Sequence, residues 1–396
     1  MNGARIAGGF GALLLAGVLV ALEIWTLVPA PDSRTLPLAV AVPELAPWFV
    51  LVVLVALVLT QAIARGWARL VATFAEAFAL GCALVPLVLL PSAIAAADRT
   101  LTGTLGVDYA EAAPDAVRAR MQAEPFDLRY ALSGLPASQH VRVALDLPFA
   151  TRDGTRLGLD LYRPLAAGPH PAVVLVYGGA WMFGKRADLA DLAGRLATIG
   201  YTVAVVDYRK APDAHFPTQL EDVRDAIAAL AAHAAAWNLD RAHVAICGFS
   251  AGGELALLAA YTPEPLQVRA AIGIYAATDV LRGYELPPRP DPIDVRRVLR
   301  AYLGGTPATR RDSYLAASPV STLGPRLPPT LLMAGDRDEL VRIAFQREMR
   351  DALRVHGDSV ALVELPWSNH AFDAIPSGIG GQLTRYYVER FLAATL

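Results

Sequence analysis

The chain has 396 residues, 55% of them hydrophobic and 18% charged, with a formal net charge of -2. That is too apolar and too long for one ordinary soluble domain, and without a basic run it excludes a nucleic-acid surface, which needs clustered Lys and Arg against phosphates. Two cysteines, Cys82 and Cys247, exclude a disulfide framework and a thiolate metal site.

Charges are sparse from Ile6 to about Ala97, and the rest has a normal globular mixture, so the chain divides into a membrane segment, residues 1–100, and a globular part. Ile6 to Ala30 would extend about 37 Å as a helix, enough to cross a hydrocarbon layer of roughly 30 Å. Ala46 to Ala64 is a second span. The third, Leu70 to Ala95, contains Glu76, Pro86 and Pro91 and is expected to be kinked. The small residues of PSAIAAAD also fit a cleavage site, although three successive apolar stretches read better as spans than as a signal peptide. Arg5, Arg65 and Arg69 fall on one side and Arg34 on the other, which predicts a cytoplasmic N-terminus and, after three crossings, a globular part outside. Glu23 and Glu76 lie near span ends, where snorkelling or facing neighbouring helices accounts for them.

Residues 101–139 read as a linker with room for a cap helix. From residue 140, HVRVALDL and TRLGLDLYR are alternating strands joined at Asp153-Gly154. PAVVLVYGG, YTVAVVDY, HVAICGFS, RAAIGIYA, PTLLMAG and VALVELP are short continuous apolar runs, as in strands buried on both faces of a parallel sheet. Helical stretches at Ala187 to Ile199, Gln219 to Trp237, Ala251 to Tyr261 and Ile343 to Val355 separate most of them. The alternation predicts an α/β fold with a mostly parallel, doubly wound sheet, whose ligand sites lie at the carboxyl ends of the strands.

Gly248-Phe249-Ser250-Ala251-Gly252 sits at one such end, between a strand and a helix, where a Gly-x-Ser-x-Gly turn presents a nucleophilic hydroxyl. A phosphate-binding turn would need a Walker lysine or Rossmann glycine spacing, and neither is present; a plain tight turn is the bland alternative. A serine needs a base, and His370 follows the last strand in a loop. The other six histidines, His140, His170, His215, His233, His243 and His356, read as structural or solvated. Asp338 and Asp336 both end the preceding strand and can orient the base, in the chain order serine, acid, histidine. In VYGGAWMFGK, Gly179 and Ala180 can offer N-H groups to an oxyanion alongside that of Ala251, with Gly178 letting the chain bend.

YGGAW, DYRKAPDAHFPTQLEDVRDAI, GFSAGG, YLGGTPATRRDSYLAASPVS, LPPTLLMAGDRDELV and NHAF together resemble bacterial esterases and lipases related to hormone-sensitive lipase, particularly the acetyl-esterase and feruloyl-esterase-like branch. The likeness covers about Val141 to Leu396. It implies an α/β-hydrolase fold over residues 140–396, no cofactor, no metal, and ester hydrolysis through an acyl-serine. On the resemblance, Ser250 is the nucleophile, Asp338 the acid, His370 the base, and Gly179, Ala180 and Ala251 the oxyanion donors. The group usually begins its oxyanion loop with histidine, where this chain has Tyr177.

Segments of about 107–138 and 282–318 are expected to cover the site, the latter as a cap insertion. Tyr177, Trp181 and Phe183 are candidate pocket residues, with core packing the alternative for Trp181 and Phe183; Asp222 and Asp279 are expected to be structural. The resulting expectation is a membrane-anchored serine ester hydrolase of short or medium acyl esters, with the bilayer and a small-molecule or lipid ester as partners. Its place is a bacterial inner membrane, with the domain on the periplasmic or extracellular side. An acyltransferase using the same three residues and an inactive binding module of the same fold are the competing readings.

Overall fold

In a computed structural model of the chain, the described residues are 3–106, 109, 111, 113, 115–136, 141–262 and 266–396. His140 and parts of the 107–138 segment lie outside them. The chain opens with helices α1 (Gly3–Glu23), α2 (Leu36–Glu44), α3 (Ala46–Ile63) and α4 (Gly66–Leu105). Among the described residues, three helices are long and apolar enough to cross a membrane: Ala7–Thr26, Ala46–Ile63 and Gly66–Leu105. They meet through small residues, including Ala12, Ala16, Ala64 and Ala72, which let backbones approach, while Phe10, Val58, Phe74 and Val88 point outward. Glu23 and Glu76 are buried between helices, and Glu76 accepts a hydrogen bond from Thr60 Oγ1 at 2.7 Å, so facing a neighbouring helix, not snorkelling, accounts for both.

The third apolar stretch is longer than expected. It runs as one helix of 40 residues straight through Pro86 and Pro91. Packing on its second half explains the length: Leu90, Ala93, Ala97 and Leu101 join the core of the globular part, and Thr104 Oγ1 donates to the Val360 carbonyl at 2.9 Å. The short helices α5 (Asp115–Arg118) and α6 (Leu128–Ser133) follow. Trp48 Nε1, at the start of α3, donates to the Ala131 carbonyl of α6.

The globular part is built on one eight-stranded sheet: β1 (Val141–Arg152), β2 (Thr155–Pro164), β3 (His170–Val176), β4 (Thr202–Val206), β5 (Leu239–Phe249), β6 (Val268–Ile274), β7 (Thr330–Gly335) and β8 (Val360–Leu365). The order is β1-β2-β4-β3-β5-β6-β7-β8. β1, β2 and β4 pair antiparallel, and from β4 onward every pairing is parallel. β3, β5, β6 and β7 are covered on both faces, which is why their sequences are nearly unbroken apolar runs. β1 is an exposed edge strand, interrupted by bulges and carrying Arg142, Asp146 and Arg152, features that discourage edge-to-edge pairing.

Helices α7 (Ala190–Ile199), α8 (Thr218–Ala232), α9 (Ala251–Ala260), α10 (Val280–Glu285), α11 (Val295–Leu303), α12 (Pro307–Ala316), α13 (Ile343–His356) and α14 (Ile379–Thr395) flank the sheet. The helical stretch expected to reach Trp237 stops at Ala232, and the chain turns back into β5 through Asn238, which adopts a positive φ of 55°. The chain leaves β3 toward β4 on one side and then returns to place β5 on the other. The gap between the carboxyl ends of β3 and β5 is therefore the switch point at which open α/β sheets bind ligands.

Candidate active site

Ser250 stands at that gap. It follows β5 with φ 54° and ψ -121°, a conformation that costs a non-glycine residue energy and turns the chain sharply into α9. The turn is possible because its neighbours lack side chains. A Cβ on Gly252 would lie 2.3 Å from the carbonyl oxygens of both Val176 and Tyr177, and one on Gly178 would lie 2.8 Å from the Phe249 carbonyl oxygen. The loop after β3 thus presses directly on the serine turn.

His370 bridges the serine and the acid. Its Nε2 is 2.8 Å from Ser250 Oγ and its Nδ1 2.8 Å from Asp338 Oδ2. An ionised carboxylate only accepts, so this arrangement puts the imidazole proton on Nδ1 and leaves Nε2 free to accept from the serine hydroxyl. Asp338 is fixed in turn, its Oδ1 accepting from the N-H groups of Leu340 at 2.8 Å and Val341 at 2.7 Å. Asp336, the alternative acid, instead pairs with Arg347 at 3.1 Å. Asn369 Oδ1 accepts from the backbone N-H groups of both Glu339 and His370, tying the Asp338 loop to the His370 loop. The Tyr275 ring, 4.5 Å from the imidazole between centroids, lies against the base, and its hydroxyl donates to Asp373 at 2.5 Å.

Ala251 is the first residue of α9, so its N-H has no intrahelical acceptor. Gly179 and Ala180 follow β3 in left-handed conformations, φ 123° and 54°. Beside these groups opens a cavity of about 650 Å³, lined by Ser250 and His370 and mainly by apolar side chains. The 282–318 segment supplies part of its wall through Ile293, Val295, Val298 and Leu299. The described part of 107–138 lines none of it and packs on α14 instead, where the Gln122 N-H donates to buried Glu389.

The BD-FAE family model matches residues 159–353. The ethyl acetate hydrolase of Pseudomonas putida is 30% identical over 250 residues, covering 57% of this chain and 74% of that protein. The chain belongs to the hormone-sensitive-lipase-like group of α/β-hydrolases. Esterase LipC of Mycobacterium tuberculosis is 32% identical over 252 residues, 59% of this chain and 61% of that one. "Probable carboxylic ester hydrolase LipM" of the same organism is 34% identical over 241 residues, 57% and 54% of the two chains. The α/β-hydrolase chain thus spans little more than half the length of these curated relatives. Among solved structures, the bacterial heroin esterase (TM-score 0.58, 23% identity, 67% of this chain and 87% of that one) shares the fold. So does the Pyrobaculum calidifontis esterase (0.56, 22%, 71% and 97%).

Tyr177, where this hydrolase group usually has histidine, is almost wholly buried. Its ring stacks on Tyr208 at 4.8 Å, its hydroxyl donates to Asp207, and its carbonyl accepts from the Tyr208 hydroxyl at 3.1 Å. The loop after β3 is therefore anchored through aromatic packing and a carboxylate at the end of β4. Tyr177, Trp181 and Phe183 all line the cavity: Phe183 is exposed, and Trp181 is buried, stacked on Tyr302 with centroids 4.1 Å apart. Both structural aspartates take the expected part: Asp222 binds the Arg209 guanidinium, and Asp279 caps α10 by accepting from the Arg282 N-H.

Sequence reasoning missed Glu254. One turn beyond Ser250 on α9, it is fully buried and accepts from Trp181 Nε1 at 3.1 Å and from the Tyr302 hydroxyl at 3.0 Å, joining the helix that follows Ser250 to the β3 loop. The available signal was a lone carboxylate inside AGGELALLAA. Burial holds this carboxyl well above its ordinary value of 4.5, with the two hydrogen bonds opposing the shift. Above 4.5 the folded protein keeps a proton that the unfolded chain has lost, so stability declines as pH rises toward the folded value. Between about pH 5 and about pH 9 the unfolding midpoint of the wild type is expected to fall further than that of Glu254→Gln. Parallel midpoints in a thermal melt would contradict this.

Proposed function

We propose that the chain is a membrane-anchored serine carboxylic ester hydrolase acting on short or medium acyl esters. The observation that carries the reading is the continuous hydrogen-bonded line Ser250, His370, Asp338 at the mouth of an apolar cavity. Relatives named as ester hydrolases support it. In this mechanism His370 Nε2 takes the Ser250 proton as Oγ attacks the ester carbonyl, and Asp338 stabilises the imidazolium. The N-H groups of Gly179, Ala180 and Ala251 receive the oxyanion, each donor contributing about 2.7 to 4 kcal/mol of barrier lowering. His370 then protonates the departing alcohol. Water, deprotonated by the same nitrogen, releases the acid and restores the serine.

Three long apolar helices with outward-facing apolar side chains support the anchor. Three crossings would put the segment between α1 and α3 on the same side as the sheet. Contacts between that segment and the sheet's loops support this parity: the Ala30 N-H donates to Glu339 and Ser368 Oγ donates to Glu44. The arginine distribution supports a location for that side outside the cytoplasm, periplasmic or extracellular, on a bacterial inner-membrane protein.

The full chain, purified in detergent, is expected to hydrolyse p-nitrophenyl acetate and butyrate, and a fluorophosphonate should label Ser250. Folded protein that neither turns over these esters nor takes the label would refute the reading. A new ester formed when an alcohol is added would instead identify a transferase.

A further inference from the structure

Two loops carry the groups that hold the base in place, and both are bonded to the stretch between the first two apolar helices. The acid-bearing loop is held at Glu339, next to Asp338, whose Oε2 accepts from the Ala30 N-H at 2.9 Å. The base-bearing loop is held at two points by one carboxylate, that of Glu44 at the end of α2. Its Oε1 accepts from Ser368 Oγ at 2.6 Å, two residues before His370, and its Oε2 accepts from the Gly380 N-H at 2.5 Å, in the first turn of α14. Glu44 is buried, and the backbone of α14 closes tightly on it: a Cβ at Gly380 would lie 2.8 Å from its Oε2, and one at Gly378 3.1 Å from its carbonyl oxygen. The chain from Ser368 to Gly380 is thus clasped at both ends from outside the sheet domain, with His370 between the clasped points. A simple tether requires none of these bonds.

We propose that residues 27–45 are a working part of the active site and that Glu44 is a positioning residue for His370, acting through Ser368 and the start of α14. The inference rests on reading Ser250, Asp338 and His370 as the reacting set. A misplacement of about 1 Å in a reacting group can cost on the order of a hundredfold in rate, and the clasp restrains the loop at that scale.

The test compares Glu44→Ala, Glu44→Gln, Ser368→Ala and the Glu44→Ala, Ser368→Ala double variant in the full-length protein in detergent, with p-nitrophenyl butyrate. Glu44→Ala is expected to lower kcat by roughly ten- to a hundredfold with KM nearly unchanged. Glu44→Gln should recover most of the rate, because its amide oxygen can accept from Gly380 while its NH2 donates to Ser368 Oγ. If the path runs through Ser368, the double variant should lose no more than Glu44→Ala alone. Hydrogen exchange of the backbone amides at 338–341 and 367–373 provides a readout independent of turnover, and Glu44→Ala should lose protection there.

Unchanged kcat and protection in Glu44→Ala would overturn the proposal. So would a change confined to KM, or equal losses in Glu44→Gln and Glu44→Ala. A wild type that turns over no ester would remove the functional reading instead, and the exchange pattern would still decide whether the clasp holds the base loop.

Discussion

Ser250→Ala and His370→Ala are each expected to lower kcat on p-nitrophenyl butyrate by on the order of 10⁴- to 10⁶-fold, and the double variant by no more than either single one. The reason lies in the shared proton. Ser250 Oγ, 2.8 Å from Nε2, is a weak nucleophile unless that nitrogen accepts its hydrogen, and the imidazole has no covalent chemistry of its own to offer once the hydroxyl is gone. Removing one member therefore idles the other. KM should move little, because most of the residues that line the cavity, Val295, Val298, Leu299 and Phe345 among them, are touched by neither substitution. Residual turnover over water of roughly 10³- to 10⁴-fold is expected from the backbone N-H groups and from binding alone. Steady-state rates with fluorophosphonate-titrated enzyme as reference decide the matter. A Ser250→Ala protein that keeps more than a hundredth of the rate, or losses that multiply in the double variant, would rule out a single cooperating unit.

Much of this was legible in the sequence because the sheet enforces it. Strands covered on both faces must be apolar throughout, so β3 to β8 stand out as runs, and the residues just after each run must lie at the ligand-binding edge. Ser250, His370 and both Asp336 and Asp338 come after such runs, so position at strand ends and chain order brought them to one edge, and the choice of Asp338 over Asp336 came from the family resemblance. Small neighbours were equally readable: Gly252 and Gly178 sit where any Cβ would strike a carbonyl oxygen.

Pairing between segments remote from each other escaped the sequence. Glu254, Trp181 and Tyr302 come from three elements, and nothing in local pattern says that one buried carboxylate serves both rings. Glu44 is the stronger case, since its partner Ser368 lies 324 residues away. A lone acid in an apolar stretch signals a buried partner but not which one. Helix α4 escaped for a related reason. Pro86 and Pro91 suggest a kink, whereas packing against both the other apolar helices and β8 carries the helix past Ala95 to Leu105, an extension no local pattern announces.

The choice between the two aspartates after β7 yields the other large expected effect. Asp338→Asn should lower kcat by on the order of 10⁴-fold, while Asp336→Asn should leave it within a few-fold. Asparagine at 338 keeps an oxygen for the Leu340 and Val341 N-H groups, so the loop stays in place. Its NH2 group, however, must then face His370 Nδ1 as a donor. The imidazole answers by moving its proton to Nε2, where it points at Ser250 Oγ and can no longer accept the hydroxyl proton. Geometry survives and basicity is lost. At 336 the carboxylate contacts Arg347, which also pairs with Glu364, so its loss loosens a partly exposed ion cluster and leaves the Asp338–His370 contact in place. Rates for the two variants, measured beside the wild type on one ester, separate the alternatives. If Asp336→Asn proved the crippled protein and Asp338→Asn the active one, the acid would have to be reassigned and the 2.8 Å contact at Nδ1 read as packing.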